Sequence, residues 1–464
     1  MKTAHVLVEE LLLFGLHHSL IENWDVVQIR NQLYQLLDLD GAEQIQTNKD
    51  APETASKILS QLSDDYASRK NIKLGIVAKD SLEAAIMGIL MPRQSELISR
   101  FKAKQNPKAA TDDFYNLCKA ANYIQVNRIK KDMYWTYKSE EYGTIELSIN
   151  LSKPEKDPKE IEAAKNAPAS VYPKCLLCVE NVGYAGNVAW PARQNLRVIP
   201  VELNETQWYL QYSPYAYYNE HCIVLSAEHN PMTINDTTFR QLTAFVKRFP
   251  HYFLGSNADL PIVGGSILSH EHYQGGSHVF AMQKARCTRS YNHKAYPQVK
   301  ASLVKWPLSV IRLKASISEE EQLLNMAAKI LEEWRNYSEG DIIAFSDDIP
   351  HNTVTPILSI ADGNFIMDIV LRNNRTSKEF PHGIFHPQEK WHHVKKENIG
   401  LIEVMGLAVL PGRLKDELEN ENLSEDEIGQ VFVNVLKDCG VFKDDETGHK
   451  RFDGFMKKLG FIGD

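Results

Sequence analysis

The chain has 464 residues, of which 43% are hydrophobic and 24% are charged. These are the proportions of an ordinary globular protein that is long enough for more than one domain. Its net charge of -8 gives no overall attraction to nucleic acid or to an anionic membrane surface, so a phosphorylated ligand must be held by local donors.

The N-terminal apolar stretch is short, follows acidic residues and precedes no small-residue cleavage site. We therefore predict no signal peptide, and no segment has the roughly 18 uninterrupted apolar residues of a membrane span. Six cysteines in a chain of this length do not form a disulfide framework. We expect a reduced, cytoplasmic protein with no nucleic-acid or membrane partner.

Residues 1–130 are predicted to form a helical region, because apolar side chains recur there at helical spacing. Residues 25–28 and 50–53 each have the spacing of a capping box at a helix start. The charged stretch 102–110 is predicted to be an exposed linker.

Strand-like patterns begin near residue 133. Residues 133–138 and 143–151 predict a hairpin, and a polar, lysine-rich link follows over 152–167. Further strands, rich in β-branched and aromatic residues, are predicted at 196–203, 208–212 and 221–226. Residues 235–249 are amphipathic and predict a helix that lies on a sheet.

The last third of the chain again combines predicted strands with amphipathic helices. A helix capped over 318–321 is predicted to run to residue 337, and a hairpin is predicted to turn at Asp362-Gly363 between strands 356–360 and 364–371. A final helix over 425–438 is predicted to be capped by Ser424. The fold class predicted is α+β with mainly antiparallel sheet. The predicted parts are the helical region 1–130, a catalytic half 131–300 and a second half 301–464.

The sequence His-Glu-His-Tyr-Gln begins at His270. In an extended strand, alternation places His270, His272 and Gln274 on one face. Glycine pairs at 264–265 and 275–276 permit close approach of the backbone to a ligand. An incidental histidine-bearing strand is the alternative, but it does not account for two imidazoles and an amide on one face between glycine pairs.

The His-x-His-x-Gln motif lies in a longer string over 259–276, Asp-Leu-Pro-Ile-Val-Gly-Gly-Ser-Ile-Leu-Ser-His-Glu-His-Tyr-Gln-Gly-Gly. This string resembles the second, bacterial class of the galactose-1-phosphate uridylyltransferase family in the histidine-triad superfamily. The likeness also covers 152–158, 173–186, 191–195 and 398–413. It implies two histidine-triad-like modules after the helical region, and transfer of UMP between UDP-glucose and galactose 1-phosphate.

The resemblance implies that His272 is the nucleophile, forming a uridylyl-histidine with ping-pong kinetics. The attacking nitrogen must be neutral, so the other ring nitrogen should donate its proton to a carbonyl. Superfamily hydrolases carry a third histidine where this chain has Gln274, which can donate a hydrogen bond but cannot transfer a proton. A sugar phosphate leaves as an anion without protonation, so glutamine favours transfer over hydrolysis.

Cys175-Leu-Leu-Cys178 is a C-x-x-C motif, which by itself is compatible with a redox or an incidental role. In the classical branch of the family, zinc is held by a C-x-x-C, a downstream histidine and the first histidine of His-x-His-x-Gln. The matching positions are Cys175, Cys178, His229 and His270, a set that suits a closed tetrahedral site. We expect a structural zinc that fixes His270 and so positions His272, and no organic cofactor. Buried thiols and hydrogen-bonded imidazoles without metal are the alternative.

The candidate substrate-binding residues are Asn257, Gly264, Gly265, Ser266, Ser269, Arg193, Asn195, Arg372 and Arg375. Arg372 and Arg375 follow the predicted hairpin and are candidates to clamp a sugar phosphate, although arginines in loops are commonly solvated. Arg193 and Asn195 precede a predicted strand and are assigned to the uridine or its phosphates from position alone. The classical branch has a second metal site, but its spacing does not match the histidines at 382, 386, 392 and 393, so that site is not carried over.

Two other functions stay open from the sequence. The first is a nucleoside-diphosphate-sugar phosphorylase or hydrolase of the same superfamily, of which hydrolysis is disfavoured by Gln274. The second is a zinc-stabilised binding module without catalysis, which leaves the His-x-His-x-Gln face unexplained. The expected small-molecule partners are UDP-glucose, UDP-galactose and hexose 1-phosphates, without a predicted choice between sugar epimers. A homodimer is one candidate assembly, because classical relatives are dimers.

Overall fold

The computed structural model describes residues 2–41, 54–152, 172–265 and 267–463. Within these ranges the chain forms two compact units. Unit 1 comprises Met1–Lys131, Ser152–Val201 and Tyr209–Ala216; unit 2 comprises Asp132–Leu151, Glu202–Trp208 and Tyr217–Asp464. The predicted capping box at 50–53 and nearly all of the predicted link 152–167 lie outside the described residues.

Unit 1 confirms the predicted helical region. Its helices are α1 (Ala4–His17), α2 (Val26–Leu37), α3 (Ala55–Lys70), α4 (Ile76–Leu90), α5 (Gln94–Ala103), α6 (Pro107–Ala120) and α7 (Val126–Ile129). The start of α6 shows why helices begin where they do. The Asn106 side chain accepts hydrogen bonds from the backbone N–H groups of Lys108 and Ala109, and Pro107 occupies the first turn, where its missing N–H costs nothing. No helix in the described ranges is both long and apolar enough to cross a membrane.

Two local predictions in unit 1 are wrong. Asp25 precedes α2, but its carboxylate accepts a hydrogen bond from the backbone N–H of Glu22, so the predicted capping box at 25–28 does not form. The predicted linker at 102–110 is exposed up to residue 109, but α5 ends at Ala103 and α6 begins at Pro107, which leaves only three residues between the helices.

The strands belong mainly to unit 2, and β3 and β4 contain residues of both units. They are β1 (Met133–Ser139), β2 (Gly143–Ile149), β3 (Ile199–Leu203), β4 (Thr206–Tyr212), β5 (Cys222–Ser226), β6 (Phe253–Gly255), β7 (His272–Gly276), β8 (Cys287–His293), β9 (Lys300–Val304), β10 (Val310–Ser316), β11 (Phe345–Ser346), β12 (Ile349–Pro350), β13 (Asn352–Ala361), β14 (Asn364–Asn373), β15 (Leu407–Leu410) and β16 (Phe461–Gly463).

The largest sheet has the order β16-β8-β9-β10-β14-β13-β6-β7-β5-β4-β3, and a smaller sheet has the order β1-β2-β15. Strand β15 pairs with β2 in parallel, whereas the other described registers are antiparallel. The α+β class with mainly antiparallel sheet is therefore confirmed, as are the hairpin β1–β2 and the predicted strands that became β3, β4 and β5.

The hairpin β13–β14 forms at the predicted turn. Asp362 and Gly363 have φ of 50° and 72°, the left-handed values that a two-residue type I′ turn requires and that Asp-Gly tolerates well. Strand β13 pairs in turn with β6, and β6 pairs with β7. The His-x-His-x-Gln strand therefore lies inside the sheet, with paired neighbours on both sides.

The helices of unit 2 are α8 (Asp236–Arg248), α9 (Ala281–Lys284), α10 (Glu320–Arg335), α11 (Leu401–Val404), α12 (Leu414–Glu419), α13 (Glu425–Cys439) and α14 (Glu446–Lys458). The predicted amphipathic helix is α8, which begins with a capping box between Asn235 and Thr238 and buries Phe239, Leu242 and Phe245. These apolar side chains follow one another at intervals of three residues, so one face of α8 is buried, as predicted.

Two predictions about the later helices need correction. The cap expected over 318–321 does not form: Glu319 precedes α10 without a side-chain cap, and Ser316 instead caps a short 3-10 turn over 317–319. Ser424 and Glu427 do form the predicted capping box of α13. However, α13 is not the last helix, because α14 follows it with Asp445 as its capping residue.

Candidate active site

Strand β7 presents the His-x-His-x-Gln face from the interior of the sheet. His272 is paired with Leu225 of β5, and Gln274 lies between Ile223 of β5 and Gly255 of β6. The intervening Tyr273 points to the opposite face, where its ring stacks on Trp208 with centroids 4.9 Å apart and planes 15° apart. This alternation confirms that His272 and Gln274 share one face.

His270 lies just before β7, and hydrogen bonds rather than strand pairing set its position. Its Nε2 donates to the backbone oxygen of Ser226 over 2.9 Å, and its side chain is buried. The neighbouring Glu271 continues the pairing with its backbone, accepting from the N–H of Ser226 and donating to the oxygen of Asn230. The predicted strand is therefore regular from His272 onward, and His270 is held by its side-chain hydrogen bond to Ser226.

His272 has the geometry that a nucleophilic imidazole needs. Its Nδ1 lies 2.8 Å from the backbone oxygen of His270, and because a carbonyl only accepts, Nδ1 carries the proton. The lone pair is then on Nε2. Burial lowers the pKa of His272 to about 4, against the opposing effect of the hydrogen bond to His270, so the ring is neutral at pH 7. The predicted hydrogen bond from the ring to a carbonyl is confirmed.

Gln274 has a partner that the sequence did not indicate. The Nε2 of His221 donates to the Oε1 of Gln274 over 3.1 Å. The His221 ring is buried and packs against the rings of Tyr217 and Tyr218, with centroids 5.5 and 4.6 Å away. Because Oε1 faces His221, the amide NH2 group of Gln274 is directed away from that ring.

The glycines flanking the motif are required by close contact between segments of chain. A Cβ on Gly264 would lie 2.3 Å from the backbone oxygen of Ala258, and one on Gly275 would lie 2.4 Å from the backbone oxygen of Phe253. Gly276 has φ of +148°, and a Cβ there would lie 2.6 Å from the oxygen of Glu220. No larger residue fits at these positions without moving backbone.

The other candidates near the motif differ in exposure. Asn257 is buried, and its Oδ1 accepts a hydrogen bond over 2.8 Å from the backbone N–H of Leu401, the first residue of α11. A Cβ on Gly265 would meet the Asn257 amide at 2.9 Å. Ser269 is exposed, and Ser266 lies outside the described residues.

Arg372 is a strand residue, not a loop residue. It lies in β14, is 1% exposed, and donates from Nη2 to the backbone oxygen of Ile399 over 2.9 Å. Its Nε and Nη1 have no hydrogen-bond partner among the described residues, and burial lowers its pKa. Arg375 is half-buried and donates from Nη1 to the backbone oxygen of Asp341 over 2.7 Å. The interpretation of Arg372 as a solvated surface arginine is therefore wrong.

The predicted metal ligands form one pair in each unit. In unit 1 the Sγ atoms of Cys175 and Cys178 are 3.5 Å apart, and the backbone N–H of Leu177 donates to the Cys175 Sγ over 3.4 Å. Neither cysteine forms a disulfide, and burial raises the pKa of Cys175 to about 11. In unit 2 the rings of His229 and His270 have centroids 4.8 Å apart.

Arg193 and Asn195 lie in unit 1, on the wall of a cavity of about 360 Å³. Asn195 is buried and donates from Nδ2 to the backbone oxygen of Ala121 over 3.0 Å. The Arg193 guanidinium lies over the ring of Tyr123, 5.7 Å from its centroid. Both residues thus border a space that a ligand can occupy.

Two family models match the chain. The N-terminal domain of galactose-1-phosphate uridyl transferase matches residues 20–231, and the C-terminal domain of the same enzyme matches residues 245–428. The two matches together span most of the sequence and include every candidate site residue.

Curated relatives resemble the chain over nearly its whole length. The galactose-1-phosphate uridylyltransferase of Caldanaerobacter subterraneus subsp. tengcongensis is 47% identical and covers 99% of both chains. The protein of that name from Bacillus subtilis is 44% identical over 98% of this chain and 97% of its own. Among solved structures, yeast Ap4A phosphorylase is 12% identical, covers 73% of this chain and 98% of its own, and has a TM-score of 0.43.

Proposed function

The chain belongs to the galactose-1-phosphate uridyl transferase family, and we propose that it works through a covalent uridylyl group on His272. It is a nucleotidyltransferase that moves UMP from UDP-glucose to galactose 1-phosphate, giving UDP-galactose and glucose 1-phosphate. The observation that carries the assignment of His272 is its Nδ1 contact of 2.8 Å with the backbone oxygen of His270. That contact leaves a neutral Nε2 as the attacking atom.

In the first step, Nε2 of His272 attacks the α-phosphorus of UDP-glucose. The new N–P bond forms as the P–O bond to glucose 1-phosphate breaks, and the electron pair leaves with that oxygen. The ring becomes cationic, and the carbonyl of His270 stabilises the positive charge through the Nδ1 proton. Galactose 1-phosphate reverses these steps: its phosphate oxygen attacks phosphorus and the His272 lone pair is restored.

Gln274 supplies hydrogen-bond donors, but it has no proton that it can transfer to a leaving group. Its Oε1 accepts from His221, so its two N–H groups are the part of the amide available to a phosphoryl oxygen. A primary amide cannot protonate a leaving group, and a sugar phosphate does not need protonation. The phosphorylase or hydrolase alternative is not favoured, because the curated relatives carry the transferase name.

Arg372 is the proposed clamp for the hexose phosphate in the second half of the chain. A buried guanidinium with two unpaired donor nitrogens is costly, and two oxygens of a phosphate would satisfy both at once. Arg375 is proposed as a second positive charge beside the hexose phosphate. Its Nη1 donates to the backbone oxygen of Asp341, which leaves its other donor nitrogens for the phosphate. The loop with Gly264, Gly265 and Ser269 stays a proposed phosphate contact.

A structural zinc is proposed with Cys175, Cys178, His229 and His270 as its ligands, because these positions match the zinc ligands of the classical branch of the family. Two thiols and two imidazoles are the donor set that zinc favours in structural sites. The hydrogen bond from His270 Nε2 to the Ser226 oxygen fits a metal-ligating histidine, because such a ring donates its other nitrogen to a carbonyl or carboxylate. The bound ion would hold His270 and, through its carbonyl, His272.

Partial exchange tests the proposed function. The protein is incubated with UDP-glucose and labelled glucose 1-phosphate in the absence of galactose 1-phosphate. A covalent intermediate predicts that label enters UDP-glucose, because the first half-reaction is reversible by itself. His272→Ala should abolish the exchange, whereas His449→Ala, an exposed histidine of α14, should retain it. Exchange that requires galactose 1-phosphate would contradict the ping-pong mechanism.

Metal analysis tests the zinc separately. The purified protein should contain about one equivalent of zinc, and Cys178→Ser and His270→Ala should each lower that content. Cys439→Ser is the matched control, because Cys439 is a buried thiol of α13 outside the proposed ligand set. A wild-type zinc content below about a tenth of an equivalent after gentle purification would refute a tight structural site.

A further inference from the structure

Two consecutive peptide groups in the segment 399–401 of unit 2 hold two of the candidate substrate-binding side chains. The carbonyl of Ile399 accepts a hydrogen bond from Nη2 of Arg372 over 2.9 Å. The backbone N–H of Leu401 donates to Oδ1 of Asn257 over 2.8 Å. The backbone of this short segment therefore sets the orientation of both side chains.

The peptide group between Ile399 and Gly400 is held at both of its ends. Its carbonyl accepts from Arg372, and its N–H donates to Oε2 of Glu403 over 3.0 Å. Because a peptide group is planar, fixing its N–H also fixes the direction of its carbonyl. Glycine permits more backbone rotation than other residues, so without an acceptor on Glu403 this peptide group could turn and withdraw its oxygen from Arg372.

Glu403 is itself held by a buried ion pair. The Nζ of Lys395 lies 2.5 Å from Oε1 of Glu403, and the side chains of Lys395 and Glu403 are 5% and 9% exposed. The same ammonium group donates to the backbone oxygen of Val409 over 3.1 Å, and a carboxylate oxygen of the more exposed Glu397 lies 3.6 Å away. A buried ion pair adds little stability over a well-packed apolar pair, because both charges lose their hydration. Its effect here is to keep the Glu403 carboxylate in one orientation, with Oε2 toward Gly400.

Lys395 also compensates a negative charge close to the proposed phosphate clamp. Burial lowers the pKa of Arg372, and the nearby carboxylate of Glu403 is among the groups that oppose this effect. A carboxylate without a counter-charge at this place would repel an incoming phosphate. The ammonium group of Lys395 removes that repulsion and leaves the hydrogen bond from Glu403 to the backbone intact.

We propose that Lys395 and Glu403 are positioning residues for the hexose phosphate. Together they fix the peptide group before Gly400, which in turn directs Arg372 and Asn257 toward the ligand. This proposal rests on the proposed function, which assigns the hexose phosphate to Arg372. Contacts with that phosphate are the same in the ground state and the transition state, so their loss should raise KM for galactose 1-phosphate and spare kcat.

Two double variants separate the hydrogen bond to Gly400 from the two charges. Both contain Lys395→Met, combined either with Glu403→Leu or with Glu403→Gln. Leucine and glutamine are similar in size, but only glutamine can accept from the Gly400 N–H. The Glu403→Leu double variant should raise KM for galactose 1-phosphate by about tenfold, the effect of one lost hydrogen bond to a charged group, with kcat within about twofold. The Glu403→Gln double variant should keep both constants within about twofold of the wild type, because its amide restores the acceptor.

Calorimetric titration distinguishes this positioning role from general damage to the fold. The Glu403→Leu double variant should bind galactose 1-phosphate about tenfold more weakly but bind UMP within about twofold of the wild type, because UMP has no hexose phosphate. The matched control combines Lys450→Met with Glu446→Leu, which removes an exposed ion pair of α14 and should change the binding of neither ligand. Circular dichroism and the unfolding midpoint verify that each variant is folded.

Amide hydrogen exchange of the wild-type chain needs no variant. Saturating galactose 1-phosphate should slow exchange in a peptide that covers residues 399–401, because a ligand bound to Arg372 and Asn257 stabilises the segment that holds them. UMP should leave exchange in the same peptide unchanged.

The outcomes that overturn the proposal are specific. One is a Glu403→Leu double variant that binds and uses galactose 1-phosphate as the wild type does. Others are a Glu403→Gln double variant that is equally impaired, UMP binding that falls by the same factor, or exchange at residues 399–401 that ignores galactose 1-phosphate. A wild-type chain that binds no galactose 1-phosphate would contradict the proposed function itself, whereas wild-type binding that the double variants leave intact overturns the positioning role alone.

Discussion

The Nε2 of His221 donates a hydrogen bond over 3.1 Å to the Oε1 of Gln274, and this contact fixes the orientation of the Gln274 amide. Without it, the amide could rotate by half a turn and present its oxygen to an anionic phosphoryl group, which would repel it. The packing of Tyr217 and Tyr218 around His221 holds the donor ring in turn. Under the proposed function, His221 is therefore a positioning residue that acts through Gln274.

His221→Phe should keep a flat ring against the two tyrosines and remove the donor. We expect kcat to fall by about tenfold, corresponding to a hydrogen bond of about 1–1.5 kcal/mol, with KM for UDP-glucose changed by less than about twofold. Steady-state kinetics in both directions measure this split.

The double variant shows whether His221 acts through Gln274. In a Gln274→Ala background, His221→Phe should lower kcat by less than about twofold, because the amide that it positions is gone. Two independent, multiplicative losses would contradict the positioning role and would assign the His221 effect to general packing.

Gln274→His should convert part of the transfer into hydrolysis. The new imidazole, when neutral, can accept a proton from an attacking water molecule, which the amide cannot, so water becomes a competent acceptor for the uridylyl group. Release of UMP from UDP-glucose without galactose 1-phosphate should rise relative to the wild type. Gln274→Asn is the control, since it keeps an amide, and equal UMP release from both variants would contradict the role given to Gln274.

Gly275→Ala should destabilise unit 2 by about 1–3 kcal/mol, because its Cβ would lie 2.4 Å from the backbone oxygen of Phe253 and would force β6 and β7 apart. Gly454→Ala is the matched substitution in the interior of α14, where a Cβ meets nothing within 4 Å. It should stabilise by about 0.5–1 kcal/mol, since alanine loses less entropy than glycine in a helix. Denaturant unfolding measures the change in the free energy of unfolding for both variants. Changes of the same sign and size in the two variants would contradict the close packing of β6 against β7.

The sequence predicted the elements whose signals are local. The hairpin at Asp362-Gly363 formed because its turn chemistry is contained in two residues. Helix α8 formed within the predicted amphipathic stretch, and α13 began at its predicted capping residue, Ser424. The predicted cap at 25–28 that did not form shows the limit of such patterns. A carboxylate can accept a hydrogen bond from a backbone N–H on either side of it in the sequence, and Asp25 accepts from the N–H of Glu22.

The site was only partly predictable, because part of it depends on the pairing register between strands that are distant in the sequence. His272 and Gln274 follow from alternation along one strand, but the position of His221 depends on Ile223 facing Gln274 across β5 and β7. No local signal sets that register. Arg372 lies in a strand and not in the predicted loop, because β14 continues beyond the predicted end at 371 to Asn373 and buries the guanidinium.

Intact-protein mass spectrometry tests the central claim most directly. After incubation with UDP-glucose alone and removal of small molecules, the chain should gain the mass of one uridylyl group, and peptide mapping should place it on His272. Glucose 1-phosphate or galactose 1-phosphate should remove it, and His272→Ala should never acquire it. An unmodified wild-type chain that still converts UDP-glucose and galactose 1-phosphate to products would contradict the account.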